Sequence, residues 1–315
     1  MGKRTYTPQV YSKMNQYHKS VLLREVIDIL EPKPDKLYID ATIGGGGHSF
    51  EILKHGGKVL GIDRDPESLK HIKNQFNFGK DLILVQSNFN RIGSIARSYG
   101  YNSVDGIIFD LGVSSHQLET AQRGFSFNMS GPLDMRMDPA LAVKAADIIN
   151  NFDQRRLNEI FKNFAQEKFS WTIANAISSA RQIKPIKTTI ELAQIVKDAK
   201  VRARNKTFEA KKRRYHAQGG DLHPATKVFQ ALRIVVNSEL LNLEEALPQT
   251  IDLLKINGRL LVISFHSLED SQVKRFFKKE KRLKILTQKP IRASVREVRE
   301  NPRARSARLR AAEKI

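Results

Sequence analysis

Three acids stand at the ends of short apolar runs in the first third of the chain: Asp40 after Leu37-Tyr38-Ile39, Asp63 after Val59-Leu60-Gly61-Ile62, and Asp110 after Val104 to Phe109. Between the first two lies Gly44-Gly45-Gly46-Gly47-His48. Without Cβ atoms the backbone of such a run turns tightly and brings its N–H groups against a ligand. An acid about twenty residues beyond the first strand end is placed to accept two hydrogen bonds from a ribose diol. A dinucleotide fingerprint would need a third glycine at position 49 or 50, depending on register, and Ser49 and Phe50 stand there. The pocket therefore suits an adenosine ligand without a diphosphate, such as S-adenosylmethionine.

Positioning these acids requires strands followed by helices. The pattern predicts strands at Leu37 to Ala41, Lys58 to Asp63, Leu82 to Gln86 and Val104 to Asp110, with helices at Val21 to Leu30, Ser49 to His55 and Pro66 to Phe76. Such alternation implies a parallel sheet covered on both faces, with ligands at the carboxyl ends of its strands. After Leu118 helical spacing dominates. Asp153 is expected to cap a helix with Leu157, Ile160, Phe161 and Phe164 on one face; Phe169, Ile173 and Ile177 repeat the spacing, and Thr188 with Glu191 forms a capping box. Strand–helix alternation returns with a helix opened by His223-Pro224 that carries Phe229, Leu232, Val236, Leu240 and Leu243. A strand from Arg259 to Phe265 follows, then a helix capped at Ser267-Leu268-Glu269-Asp270. The expectation is an α/β fold with a Rossmann-like, mostly parallel sheet, split in sequence into 1–118 and 222–315, and an inserted all-α domain at 119–221.

Composition narrows the partners. Lys and Arg number 54 against 33 Asp and Glu, a net charge of +21 on 315 residues, which points to a polyanion and above all to nucleic acid. The charge concentrates in Lys200 to His216, with Phe208 and Tyr215 interleaved, and in Lys274 to Arg310, which includes Arg292, Arg296, Arg299, Arg303, Arg305, Arg308 and Arg310. These runs are expected to grip a phosphate backbone, and the aromatics to stack on unpaired bases. The absence of cysteine excludes disulfides, thiolate zinc sites and a cysteine nucleophile. No apolar h-region follows Met1 to Tyr6 and no apolar run reaches membrane-span length, so a cytoplasmic protein is expected.

Further motifs surround the last acid: DLGVSS at Asp110 to Ser115, RGFSF at Arg123 to Phe127 and GPLDMRMDP at Gly131 to Pro139. With HKSVLLREV (His18 to Val26), YIDATIGGGGHS, GIDRDP, HPATKVFQALRIVVNSEL, ISFHSLED and NPRARSARLR they run in order through nearly the whole chain. In these the chain resembles the bacterial 16S rRNA (cytosine-N4) methyltransferase family, the MraW-like enzymes. The resemblance implies a class I S-adenosylmethionine-dependent methyltransferase fold and 16S rRNA, or the small ribosomal subunit, as partner, with no metal and no membrane. It places cofactor contacts at Gly46, Gly47, His48, Asp63, Phe89, Asp110 and Gln117. Cytosine N4 is a weak nucleophile because its lone pair is delocalised, so a hydrogen-bond acceptor on one N–H is expected; Asp110 is the first candidate and His266 the second. The family often has proline where this chain has His116, beside Gln117. A nicotinamide dehydrogenase would need the missing glycine and leaves the basic runs without a role; the alternative is a non-catalytic RNA-binding or ribosome-assembly factor on a methyltransferase fold, against which the intact Gly46, Gly47, His48, Asp63 and Asp110 argue.

Overall fold

The computed structural model describes residues 20–75, 79–210 and 223–315. Its contacts divide the chain into two units, Met1–Ser115 with Leu240–Ile315, and His116–Glu239.

The first unit is built on one seven-stranded sheet: β1 Leu37–Asp40, β2 Lys58–Asp63, β3 Leu82–Gln86, β4 Val104–Asp110, β5 Leu254–Ser264, β6 Leu283–Ile285 and β7 Arg308–Lys314, in the order β3-β2-β1-β4-β5-β7-β6. β1 to β5 run parallel, and β7 lies antiparallel between β5 and β6. Successive residues of the central strands face opposite sides, as the pleat requires. Ile39, Leu60, Ile62, Ile107, Phe109, Leu260 and Val262 join one buried cluster, with Leu243, Leu247, Ile251, Val273 and Phe277 from the helices on that side. Tyr38, Val59, Ile108, Leu261 and Ile263 join the other, with Val26 and Leu30 from helix Leu23–Leu30 and Phe50, Ile52 and Leu53 from helix Gly47–Lys54. Covering on both faces explains why these strands read as continuous apolar runs.

Three features of this unit depart from the sequence expectations. β6 and β7 were hidden in the basic run, because β7 carries Arg308, Arg310 and Lys314 and lacks an apolar stretch of ordinary length. The helix expected to run from His223 to Leu243 is two, Thr226–Val236 and Glu239–Leu253, broken at Ser238, whose φ is 49°. The first of these belongs to the second unit, so the sheet unit resumes at Leu240 rather than at 222. Finally, the helix after β5 is capped by His266, one residue before the expected Ser267.

The second unit is helical: Ala145–Asn151, Gln154–Ala165, Ser170–Ile183, Thr189–Ala210 and Thr226–Val236. Asp153 accepts Arg156 N–H at 2.8 Å, and Thr188 with Glu191 closes the expected capping box. Leu157, Ile160, Phe161, Ile173 and Ile177 are buried as their spacing requires. The GPLDMRMDP motif is a loop tied to itself. Arg136 forks onto Asp134 at 2.7 and 2.8 Å, Arg123 donates to the carbonyls of Arg136 and Met137, and Asn237 bonds both Met135 and Met137 backbone.

Candidate active site

β1 and β4 are neighbours although the chain passes through β2 and β3 between them, and at such a switch point the loops diverge and leave a crevice beyond the strand ends. Asp40 and Asp110 end these two strands and Asp63 ends β2, so the sheet brings the three expected acids to one edge. The intervening turn is built around Asp63, whose Oδ2 accepts Gly44 N–H at 2.8 Å and whose Oδ1 accepts Asp65 N–H at 2.9 Å. Gly46, at φ 82°, is the left-handed residue from which helix Gly47–Lys54 starts, two residues earlier than the spacing predicts. Gly47 lies close against the Ser20 side chain. A Cβ there would lie 1.9 Å from Ser20 Oγ.

Burial pushes the Asp63 carboxyl up to about 6, only partly offset by its two backbone hydrogen bonds and by Arg64. The Asp40 carboxyl is also raised, chiefly by burial, against the opposing pull of His48, Ser49 and Thr42. Its bonds are structural: it takes Ser49 Oγ–H at 2.7 Å and Thr42 N–H at 3.2 Å. Thr42 Oγ1 in turn accepts Asp110 N–H at 2.6 Å, which ties the tips of β1 and β4 together. His48 joins the group from the helix: Nε2 bonds Val21 O at 3.1 Å, and Nδ1 lies 3.8 Å from Asp110 Oδ2.

The remaining expected residues fall in different surroundings. Phe89 is 6 % exposed, with its ring edge-on to Phe109 at 5.5 Å and the Arg64 guanidinium 5.7 Å from its centroid. Gln117 is buried on the short helix Ser115–Glu119, in the second unit. His266 is a helix cap: its Nδ1 accepts Glu269 N–H at 3.3 Å, and Glu269 Oε2 accepts the N–H of Phe265 and of His266. The cap occupies Nδ1, while the buried Nε2 has no hydrogen-bond partner among the described residues and lies 3.2 Å from Glu269 Oε1.

The basic runs divide likewise. Lys200 is held by Glu167 at 2.8 Å, while residues 211–222, the side chains of 206–210, and His18 with Lys19 of the first motif lie outside the described residues. In the second run Arg310 is buried and bonds Asp270 at 2.7 Å, joined by Arg308 at 3.3 Å. Arg303 reaches back to Ser115 Oγ at 2.7 Å and to the Val113 carbonyl. These three arginines are spent inside the unit, contrary to the expectation that the whole run grips a backbone; Arg292, Arg296, Arg299 and Arg305 are exposed. Sequence reasoning missed Thr42, Ser49, Arg303 and the segment Ser20 to Leu22, whose Leu22 N–H is taken by Glu297 at 2.7 Å. Partners 275 residues apart leave no local signal.

The sequence model of the MraW methylase family matches residues 15–315. A ribosomal RNA small subunit methyltransferase H of Halothermothrix orenii is 44 % identical over 319 residues, covering 95 % of this chain and 98 % of its own. The protein of the same name from Carboxydothermus hydrogenoformans is 44 % identical over 318 residues, again covering 95 % and 98 %. The matched span includes the glycine turn, the three strand-tip acids and β7, and the chain belongs to the MraW methylase family.

Proposed function

We propose that this chain transfers a methyl group from S-adenosylmethionine to the exocyclic N4 of a cytidine in small-subunit rRNA. Family membership and the names of its relatives support methylation of ribosomal RNA, and the charge of +21 supports a polyanionic substrate. The observation that carries the reading is the strand-tip constellation. Each Asp63 oxygen accepts one backbone N–H and retains further lone-pair capacity, so the pair of oxygens fits a ribose diol, and the turn from Gly44 to Gly47 offers bare backbone beside it.

When bound, the sulfonium donor supplies an electrophilic methyl that needs neither a metal nor a covalent enzyme intermediate. The protein's task is alignment and proton handling. Gly46, Gly47 and Asp63 would hold the donor, with Phe89 as a further contact. Asp110 accepts a hydrogen bond from the amine, pulling electron density toward N4 and taking up the positive charge that grows there. A base stacked in a helix could not reach this edge, so the cytidine is unpaired or flipped out. The helical unit and the exposed arginines supply substrate recognition. Among the described residues no helix is long and apolar enough to cross a membrane, and an rRNA substrate places the enzyme in the cytoplasm.

Mass spectrometry of rRNA nucleosides tests this. Cells lacking the protein, and cells carrying only Asp110→Ala, should lose N4-methylcytidine from small-subunit rRNA. An unchanged nucleoside pattern in the deletion overturns the substrate assignment.

A further inference from the structure

His48 has been counted so far with the donor contacts, yet its bonds point elsewhere. The Val21 carbonyl can only accept, so Nε2 carries a hydrogen, and in the neutral ring Nδ1 is the basic nitrogen. That nitrogen lies 3.8 Å from Asp110 Oδ2, with the two side chains only 5 % and 10 % exposed. Three elements enclose the pair. β4 contributes Asp110, β1 contributes Asp40, which interacts electrostatically with both, and the described part of the N-terminal segment contributes the Val21 carbonyl. Asp40 is turned away from a catalytic role by Ser49 and Thr42. Two buried carboxylates thus lie close enough to one imidazole to interact with it, Asp110 at 3.8 Å and Asp40 electrostatically.

On the methyltransferase reading above, we propose that His48 is a positioning residue that takes over, through Asp110, the proton the amine loses on methylation. The balance is simple. The nitrogen lone pair forms the N–C bond, the methyl–sulfur bond breaks with its electrons left on sulfur, and the amine has one proton too many. That proton passes to Asp110, with the N–H electrons left on nitrogen, and then to His48 Nδ1, whose ring becomes an imidazolium between Asp40 and the restored Asp110 carboxylate. The 3.8 Å gap shortens in the loaded site, as catalytic hydrogen bonds commonly do.

The test combines kinetics with a measurement on the free protein. His48→Asn should lower kcat about 10²-fold, the smaller end of what a positioned proton acceptor contributes, and change the shape of its pH profile. KM for the donor and calorimetric affinity for S-adenosylhomocysteine should stay as in the wild type. In the unliganded chain, nitrogen-15 NMR should show His48 protonated at Nε2, and Asp110→Asn, which leaves His48 in place, should move the Nδ1 resonance but not that of Nε2. Loss of S-adenosylhomocysteine affinity in His48→Asn with an unmoved kcat pH profile overturns the proposal in favour of a donor contact. So does an Nδ1 resonance indifferent to Asp110→Asn. If instead the wild-type chain forms no N4-methylcytidine, the functional reading fails while the NMR result still decides the coupling.

Discussion

Asp63 offers the sharpest test of how the donor is held, because its carboxyl is poised where ordinary buffers can switch it. With its midpoint pushed up to about 6, about nine-tenths of the groups are ionised at pH 7 and about one-tenth at pH 5. If only the carboxylate accepts both ribose hydroxyls, affinity for S-adenosylhomocysteine should fall about tenfold between those two values, about 1.4 kcal/mol. The sign for stability is opposite to that for binding. A carboxyl raised in the folded state holds its proton more tightly than in the unfolded chain, so Asp63 lowers the stability of the empty protein as pH rises from about 4 to about 6. Asp63→Asn removes the charge, and its amide nitrogen must face either Gly44 N–H or Asp65 N–H, donor against donor. Affinity at pH 7 should drop about 10- to 100-fold, the worth of a charged hydrogen bond, and its pH dependence should flatten. Isothermal calorimetry from pH 7.5 to 5 on both proteins measures this. Wild-type affinity that does not change with pH, or a variant that binds as well as wild type, refutes the assignment of Asp63 to the ribose.

Two structural predictions test the framework around the site. Gly124 has φ 71°, and a Cβ there would lie 2.2 Å from the Pro132 carbonyl oxygen and 2.7 Å from Asp134 N, both backbone atoms that cannot swing aside; Gly124→Ala should cost the helical unit about 1–3 kcal/mol or more in urea denaturation, and an unchanged midpoint would contradict the loop geometry. Asp270→Ala strands the buried Arg310 guanidinium and should cost about 3–5 kcal/mol by the same measurement. A loss below about 1 kcal/mol would mean the pair behaves as a surface bridge.

Legibility in the sequence followed the distance over which the physics acts. β2, β3 and β4 have the bounds their apolar runs predict, and Asp153, Thr188 and Glu191 cap where they should, because strand burial and capping are decided within a few residues. Asp40, Asp63 and Asp110 were locatable for the same reason: each is the first polar residue after a buried strand. β7 was not, since its burial depends on Asp270 neutralising Arg310 from 40 residues away. The capping role of His266 was not legible, because an imidazole at a strand end looks the same in sequence whether it faces a substrate or closes a helix start. His48 and Asp110 were each visible, but their proximity across 62 residues of chain follows only from the sheet order, with β4 folded back beside β1.

β7 is the seventh strand in chain order and yet lies inside the sheet, with β6 beyond it. While the chain is being synthesised, β5 therefore has an open edge until Arg308–Lys314 leaves the exit tunnel. The anchors on the loop after β4 and on the N-terminal segment, Arg303 and Glu297, emerge just ahead of it. Until then the glycine turn and the strand-tip acids keep their own mutual bonds, but Val113 to Ser115 and Leu22 lack the long-range contacts that Arg303 and Glu297 give them in the folded unit.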